Sequence, residues 1–157
     1  MRLRCTSQLS CPPGRLSEEL TRPALFLHVT APLLVFEPVA PTSLPAQWAP
    51  GVFRFQLRVG GRVPLGEHTV DAREVRTFRT ENTAPQLVWH DAGYSGLIRS
   101  WDHKIILEAS DGGSLYCDEV EIHAGPLTIA AWLFANAFYR HRQRRLAALV
   151  ADGFGWP

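Results

Sequence analysis

Cysteine is scarce in this sequence and poorly spaced for chemistry. Cys5, Cys11 and Cys117 form an odd set of three with no CxxC pair, so neither a zinc-type site nor a disulfide framework is encoded, and a reducing compartment is expected. A charge imbalance is missing too. Sixteen basic residues against fifteen acidic ones leave a net charge of +1, which excludes a global field drawing the chain to nucleic acid or anionic lipid. Long hydrophobic runs are also missing. "ALFLHVTAPLLVF" and "LTIAAWLFANAFY" fall well short of the ~20 residues that cross a bilayer. The opening "MRLRCTSQLSCPPG" lacks the continuous apolar stretch of a signal peptide. These absences predict a cytoplasmic protein with no stable membrane insertion.

Catalytic and nucleotide motifs are equally sparse. "VGGRVPLGEH" has glycines but not the spacing of a dinucleotide or phosphate loop, and there is no GxSxG or HExxH. His28, His90 and His123 have no ligand-like spacing to Asp, Glu or Cys. Neither a metal nor a cofactor is expected, and nothing marks any cysteine as an activated nucleophile.

What is present is an ordinary globular composition. The 157 residues are 46% hydrophobic and 20% charged, enough for one domain spanning 1–157 with a real core. "LRCTSQLS" alternates as an opening strand, "PPGRLSEELT" reads as a short helix with proline in its first turn, and "ALFLHVT" as a second. Five prolines between Pro32 and Pro50 predict a mostly irregular stretch with one extended piece. "VFRFQLRV" sets Phe53, Phe55, Leu57 and Val59 on one face, and Gly60-Gly61 turns it back into "RVPLGEHTVDAREV". Pro64 cannot donate to a ladder, so an edge or a bulge is expected there. His68 reaches the inner face if that turn has two residues and no bulge intervenes. "APQLVWHD", "LIRSWDHKIILEA" and "SLYCDEVEIH" are three more strands, the last two joined at Asp111-Gly112. "LTIAAWLFANAFYRHRQRRLAALVAD", free of Gly and Pro, is a single helix of roughly 26 residues, about 39 Å. An antiparallel sheet with one apolar face needs a cover, and only this helix is long enough to supply it.

The stretch "DAGYSGLIRSWDHKIILEASDGGSLYCDEVEIHAGPLTIAAWLFANAFYRHRQRRLAAL" carries Gly96, Arg99, Trp101, His103, Gly113, Asp118, Val120, Gly125, Tyr139, Arg140 and His141. That pattern resembles uncharacterised bacterial members of the START-like (SRPBCC) superfamily, which includes polyketide cyclase-like, birch-pollen-allergen-like and lipid-transfer proteins. Ile122 and Ala124 depart from it, where an aromatic and a proline are usual. The resemblance implies an α+β helix-grip fold: a curved antiparallel sheet of about six to seven strands around the C-terminal helix, with short helices after the first strand. It also implies a hydrophobic cavity between sheet and helix, and no particular reaction.

Strand parity supplies the candidate site. Trp101, His103, Ile105 and Leu107 share one face. Pairing through Asp111-Gly112 sets Ser110 opposite Gly113, Ile105 opposite Asp118 and His103 opposite Val120, leaving Asp118 diagonal to His103. Asp91 faces Arg99 if Trp89 pairs with Trp101. His103, Asp118, Asp91 and Arg99 then form a polar cluster among Phe53, Phe55, Trp89, Trp101, Ile105, Val120, Phe134 and Phe138. Two readings are open: a polar end for a ligand, with His103 and Asp118 as catalytic acid/base candidates, or a structural cluster that pins the register. The proline-rich segment 38–50 and the "DAGYSG" loop are candidate rims.

Along the helix, Leu127, Ala130, Phe134, Ala137 and Phe138 make one stripe, widened by Trp132 and Tyr139. The first half is expected inside the sheet, with Arg140, Arg142, Arg144 and Arg145 emerging into water. The basic end then needs no nucleic-acid partner. The expected function is binding of a hydrophobic or amphipathic small molecule: a lipid, polyketide, isoprenoid or aromatic metabolite. The alternatives are a cyclase or dehydratase using His103 with Asp118, and a protein-interaction module.

Overall fold

A computed structural model describes residues 1–81 and 84–155. Strand β1 (Arg2–Leu9) leads into helices α1 (Pro13–Leu20) and α2 (Pro23–Thr30). Strands β2 (Leu34–Ala40), β3 (Gly51–Val59), β4 (Val63–Val75), β5 (Gln86–Ser95), β6 (Ser100–Ser110) and β7 (Gly113–His123) follow. One turn of 3-10 helix at Gly125–Leu127 then opens α3 (Thr128–Ala151). Prolines stand in the first turn of both short helices, where the missing N–H costs nothing and the fixed φ suits the helix.

The seven strands form one antiparallel sheet in the order β1-β7-β6-β5-β4-β3-β2. The curved sheet closes round α3, which packs on β1, β7 and α2, while α1 seats against β6 and β7. Leu16, Leu25 and Val29 of the short helices join Leu107, Tyr116 and Ile122 of the sheet in the core. None of the described helices is long and apolar enough to cross a membrane.

The β6–β7 hairpin matches the expected register at Ser110↔Gly113, Ile105↔Asp118 and His103↔Val120. Gly113 must lack a side chain, because a Cβ there would overlap the carbonyl oxygen of Leu9. The β3–β4 turn differs from expectation. Val59 pairs with Val63, which makes a three-residue loop, and Leu57↔Gly66 beside Arg58↔Pro64 leaves Leu65 as a bulge. Each change shifts parity by one residue, so the two cancel. His68, opposite Phe55, still faces inward.

The expected β5–β6 register is overturned. "DAGYS" continues the strand instead of forming a loop, and the chain reverses at Gly96–Arg99, where Ser95 N–H donates to Ile98 O at 2.8 Å. Trp89 therefore pairs with Ile105 and Asp91 with His103, after a shift between Leu87 and Trp89. Arg99 lies exposed on the reversal and does not face Asp91.

The expected burial of α3 holds only in part: Phe138 and Tyr139 are buried and Trp132 and Phe134 pack against the core, but the inward stripe runs on past them. The buried residues are Ala135, Phe138, Tyr139, Arg142, Gln143, Leu146, Leu149 and Val150, a stripe from the middle of the helix to its end. Leu127 just before the helix and Ile129 and Leu133 in its first turns stand 46%, 65% and 59% exposed, and Ala130 and Ala137 are exposed beside them. The cause is placement. The second half of α3 crosses the sheet beside α2, where His141 Nε2 meets Ala31 O at 3.0 Å and Arg145 Nε donates to His28 O at 3.0 Å. Arg140 and Arg144 do reach water; Arg142 is buried and Arg145 half-buried.

Candidate functional site

Four strands converge under α3. From β6 come Trp101, His103 and Ile105, from β5 Asp91, from β4 His68, and from β7 Tyr116 and Asp118. Helix α3 adds Phe134, Phe138, Tyr139, Arg142 and Gln143, all within its inward arc.

Asp118, fully buried, is the hub. Its Oδ1 bonds His103 Nε2 at 2.8 Å and accepts the Tyr116 hydroxyl at 2.8 Å, and its Oδ2 accepts Gln143 Nε2 at 2.9 Å. Gln143 also donates to Cys5 O at 2.8 Å and accepts from the Ser7 hydroxyl at 2.6 Å, so the network ties β1, β7 and α3 together. Arg142 Nη1 stands 3.5 Å from Asp118 Oδ1 and 3.4 Å from His103 Nε2. Burial opposes ionisation of Asp118, but the Arg142 charge and the bonds from His103 and Gln143 outweigh it and hold the carboxyl below its usual range. Burial pushes the His103 imidazole below its usual range, against the pull of Asp118. A neutral ring donating Nε2–H to the carboxylate keeps Nδ1 as an acceptor.

Asp91 lies opposite His103 and accepts the Asp71 N–H at 2.8 Å. Burial pushes its carboxyl up to about 8. His68, pushed down to about 4 by burial, sits edge-on to Phe36 and Trp101, ring centroids 6.5 Å away. It makes no side-chain hydrogen bond to a described residue. Gly93 gives this corner its room, since a Cβ there would come within 2.8 Å of Thr69 O and 2.9 Å of His68 Nε2. Trp101 Nε1–H donates to the Tyr139 hydroxyl at 3.0 Å beneath the helix.

Among the described residues, two neighbouring spaces under α3 share part of their lining. The larger, about 170 Å³, has an apolar wall that includes Phe36, Leu57, Phe134 and Phe138, and a polar wall of His68, Asp91, His103 and Arg142. Its lining includes Leu65, which is 43% exposed. The smaller, about 30 Å³, lies among Trp48, Trp89 and Ile105 and shares Asp91, His103 and Arg142 with the first. A wider depression of about 480 Å³ on the outer face of the sheet is lined by Arg2, Arg4, Glu119 and Glu121. Those charges pair across it as Arg2–Glu121 and Arg4–Glu119, an exposed ladder of small energetic weight.

Of the residues expected at the site, Asp91 and His103 border both spaces, Trp101, Phe134 and Phe138 the larger, and Trp89 and Ile105 the smaller. Asp118 stands behind His103 and borders neither. Phe53 packs on Trp48 at 4.7 Å and Phe55 on Phe36 at 5.5 Å; both belong to the core, as does Val120. The rims differ from expectation: Ile98 of the β5–β6 reversal lines the larger space, and Trp48 of the proline-rich segment reaches only the smaller. Arg142, Tyr116 and Gln143 are additions that strand parity could not supply. The signal for Arg142 is "LAALV", whose Leu146, Leu149 and Val150 continue the spacing of Ala135 and Tyr139 and pass through position 142. Among the described residues no group of three His, Cys, Asp or Glu is placed to hold a metal ion.

Sheet, short helices and gripping helix together define the helix-grip fold. Solved structures share it. Protein CV1439 from Chromobacterium violaceum is 15% identical, with 95% of this chain and 96% of that one covered at a TM-score of 0.65. Ara h 8.0201 is 16% identical over 97% and 98%, TM-score 0.64. The AHSA1 protein SPO3351 from Silicibacter pomeroyi is 14% identical over 98% and 99%, TM-score 0.59. No family model and no curated protein matches the sequence. At these identities the likeness is one of fold.

Proposed function

We propose that the chain is a single cytoplasmic START-like domain that encloses a hydrophobic or amphipathic small molecule without a covalent bond. One observation carries this reading: an open space of about 170 Å³ between sheet and α3, apolar except where His68, Asp91, His103 and Arg142 meet. Apolar cavities with a few convergent polar groups are where small ligands bind. An apolar cavity of about 150 Å³ is enough to enclose benzene, so the enclosed part is about one ring or a short branched chain. Any longer tail leaves beside Leu65. Among lipid, polyketide, isoprenoid and aromatic metabolite, the volume favours the aromatic and short isoprenoid classes.

The test is native mass spectrometry of protein from its source, for a co-purifying molecule, with butylbenzene titrated into purified protein by amide NMR. Saturable binding of butylbenzene is expected, with shifts centred on Trp101, Phe134 and Phe138. Ala131→Trp, which fills the lined space, should abolish binding and leave the melting temperature nearly unchanged. A wild-type protein that carries no molecule and takes up no butylbenzene counts against the reading.

A second reading rests on His103. Its ring borders the cavity while Asp118 fixes it from behind at 2.8 Å, the arrangement of a general base or acid oriented by a carboxylate. A polyketide-like cyclisation or dehydration would use it. The two readings part on one measurement, since an enzyme converts the co-purified molecule on incubation and a carrier returns it unchanged.

A further inference from the structure

Arg142 is a buried cation whose charge is balanced but whose Nε–H donor is not used. Its side chain is 6% exposed. A guanidinium brings five N–H donors in a fixed plane. Asp118 supplies the opposite charge, yet its oxygens are taken by His103, Tyr116 and Gln143 at 2.8–2.9 Å, while Arg142 stays 3.5 Å away. Nε of Arg142 is buried with no hydrogen-bond partner among the described residues. The Tyr139 ring lies 5.8 Å from the centre of the guanidinium, and its hydroxyl already accepts the Trp101 Nε1–H. Buried donors are rarely left empty, and Arg142 borders both inner spaces beside Asp91 and His103.

We propose that Arg142 is the head-group donor of the cavity and that the ligand carries a carbonyl-type oxygen at the inner end of its apolar body. This deepens the cavity reading above and rests on it. Asp118 already neutralises Arg142, so the head needs to bring lone pairs and no charge of its own. A ligand ammonium is excluded by the guanidinium. Asp91, kept protonated by burial up to about pH 8, adds an O–H on the same wall.

Four probes of one shape decide it by calorimetric titration at neutral pH: benzylacetone, hydrocinnamate, butylbenzene and phenylpropylamine. Benzylacetone is expected to bind at least about tenfold tighter than butylbenzene, because a site built around a hydrogen bond rejects the analogue that lacks it. Phenylpropylamine should bind weakest. Hydrocinnamate ranking first would overturn the uncharged carbonyl-type head. In wild-type protein the Arg142 Nε–H resonance should move on adding benzylacetone and stay still with butylbenzene. Arg142→Met combined with Asp118→Asn removes both charges together, and should cut the benzylacetone preference to about twofold while butylbenzene affinity holds. Equal affinity for benzylacetone and butylbenzene, or an unmoved Nε–H at saturation, overturns the proposal and leaves the cavity standing. If no probe binds, butylbenzene included, the cavity reading fails and this inference falls with it.

Discussion

Asp118 bonds His103 Nε2 at 2.8 Å, yet only His103 borders the space a ligand could occupy. The pair therefore divides into a ligand-facing ring and a buried anchor. Asp118→Ala removes the counter-charge of Arg142 and the acceptor for three donors, so a loss of about 3–5 kcal/mol is expected. Asp118→Leu with Arg142→Leu should recover part of it, since no lone buried charge remains. Urea denaturation of the singles and the double tests this; strictly additive losses would sink it. His103→Ala should instead show mainly as altered affinity for the probes.

Asp91 makes stability depend on pH. Its carboxyl is pushed by burial from an ordinary 3.8 up to about 8. Below about pH 4 both folded and unfolded chains hold the proton and the shift contributes nothing. Between about pH 4 and 8 the unfolded chain ionises while the folded one keeps its proton, so this group's contribution falls as pH rises. Asn at position 91 keeps an acceptor for the Asp71 N–H and cannot ionise. Asp91→Asn should therefore be more stable than wild type by about 2–4 kcal/mol at pH 8, with the gap closing near pH 4. His68 runs the other way. Burial lowers it from 6.5 to about 4, so its contribution is complete above pH 6.5 and is lost as pH falls toward 4. Urea midpoints at pH 4, 6 and 8 check the sign; a gap that does not change with pH would refute the assignment to Asp91.

How much was legible varies with how local the cause is. The β6–β7 hairpin was readable because Asp111-Gly112 fixes a turn and period two carries its register to His103 and Asp118. The β5–β6 register was not. It depends on an irregularity between Leu87 and Trp89 and on the strand running on through "DAGYS" to a reversal at Gly96–Arg99, neither of which leaves a periodic trace. Nor was the burial of Arg142. An arginine in a basic run defaults to water, and only the crossing point of α3 on the sheet puts position 142 inside. The polar cluster was thus half visible: its strand members by parity, its helix members only through tertiary packing.

Gly93→Ala tests the fit between β4 and β5. The added methyl would meet the Thr69 carbonyl, which is backbone and cannot rotate away, and His68 Nε2 beside it. A loss of about 1–3 kcal/mol is expected from the forced strand shift, together with displaced NMR signals for His68. An alanine variant as stable as wild type, with the His68 resonances unmoved, would mean the two strands do not approach as described.

Trp101 and Tyr139 offer a test of the helix seat itself. The indole N–H donates to the Tyr139 hydroxyl at 3.0 Å, and the rings lie 6.3 Å apart at 26°. Tyr139→Phe keeps the stacking but strands a buried N–H, which should cost about 1–3 kcal/mol. Trp101→Phe would lose the donor and, with it, bulk against the cavity wall. Once the donor has gone, Tyr139→Phe should cost less than it does alone, so the double variant should be less destabilised than the two singles added together. The same bond fixes the depth at which Phe138 and Arg142 meet the sheet, one residue before Tyr139 and three after it. Tyr139→Phe should therefore also weaken discrimination between benzylacetone and butylbenzene without abolishing either binding. Chemical denaturation gives the coupling and calorimetry the discrimination; a coupling near zero would show that the bond does not seat α3.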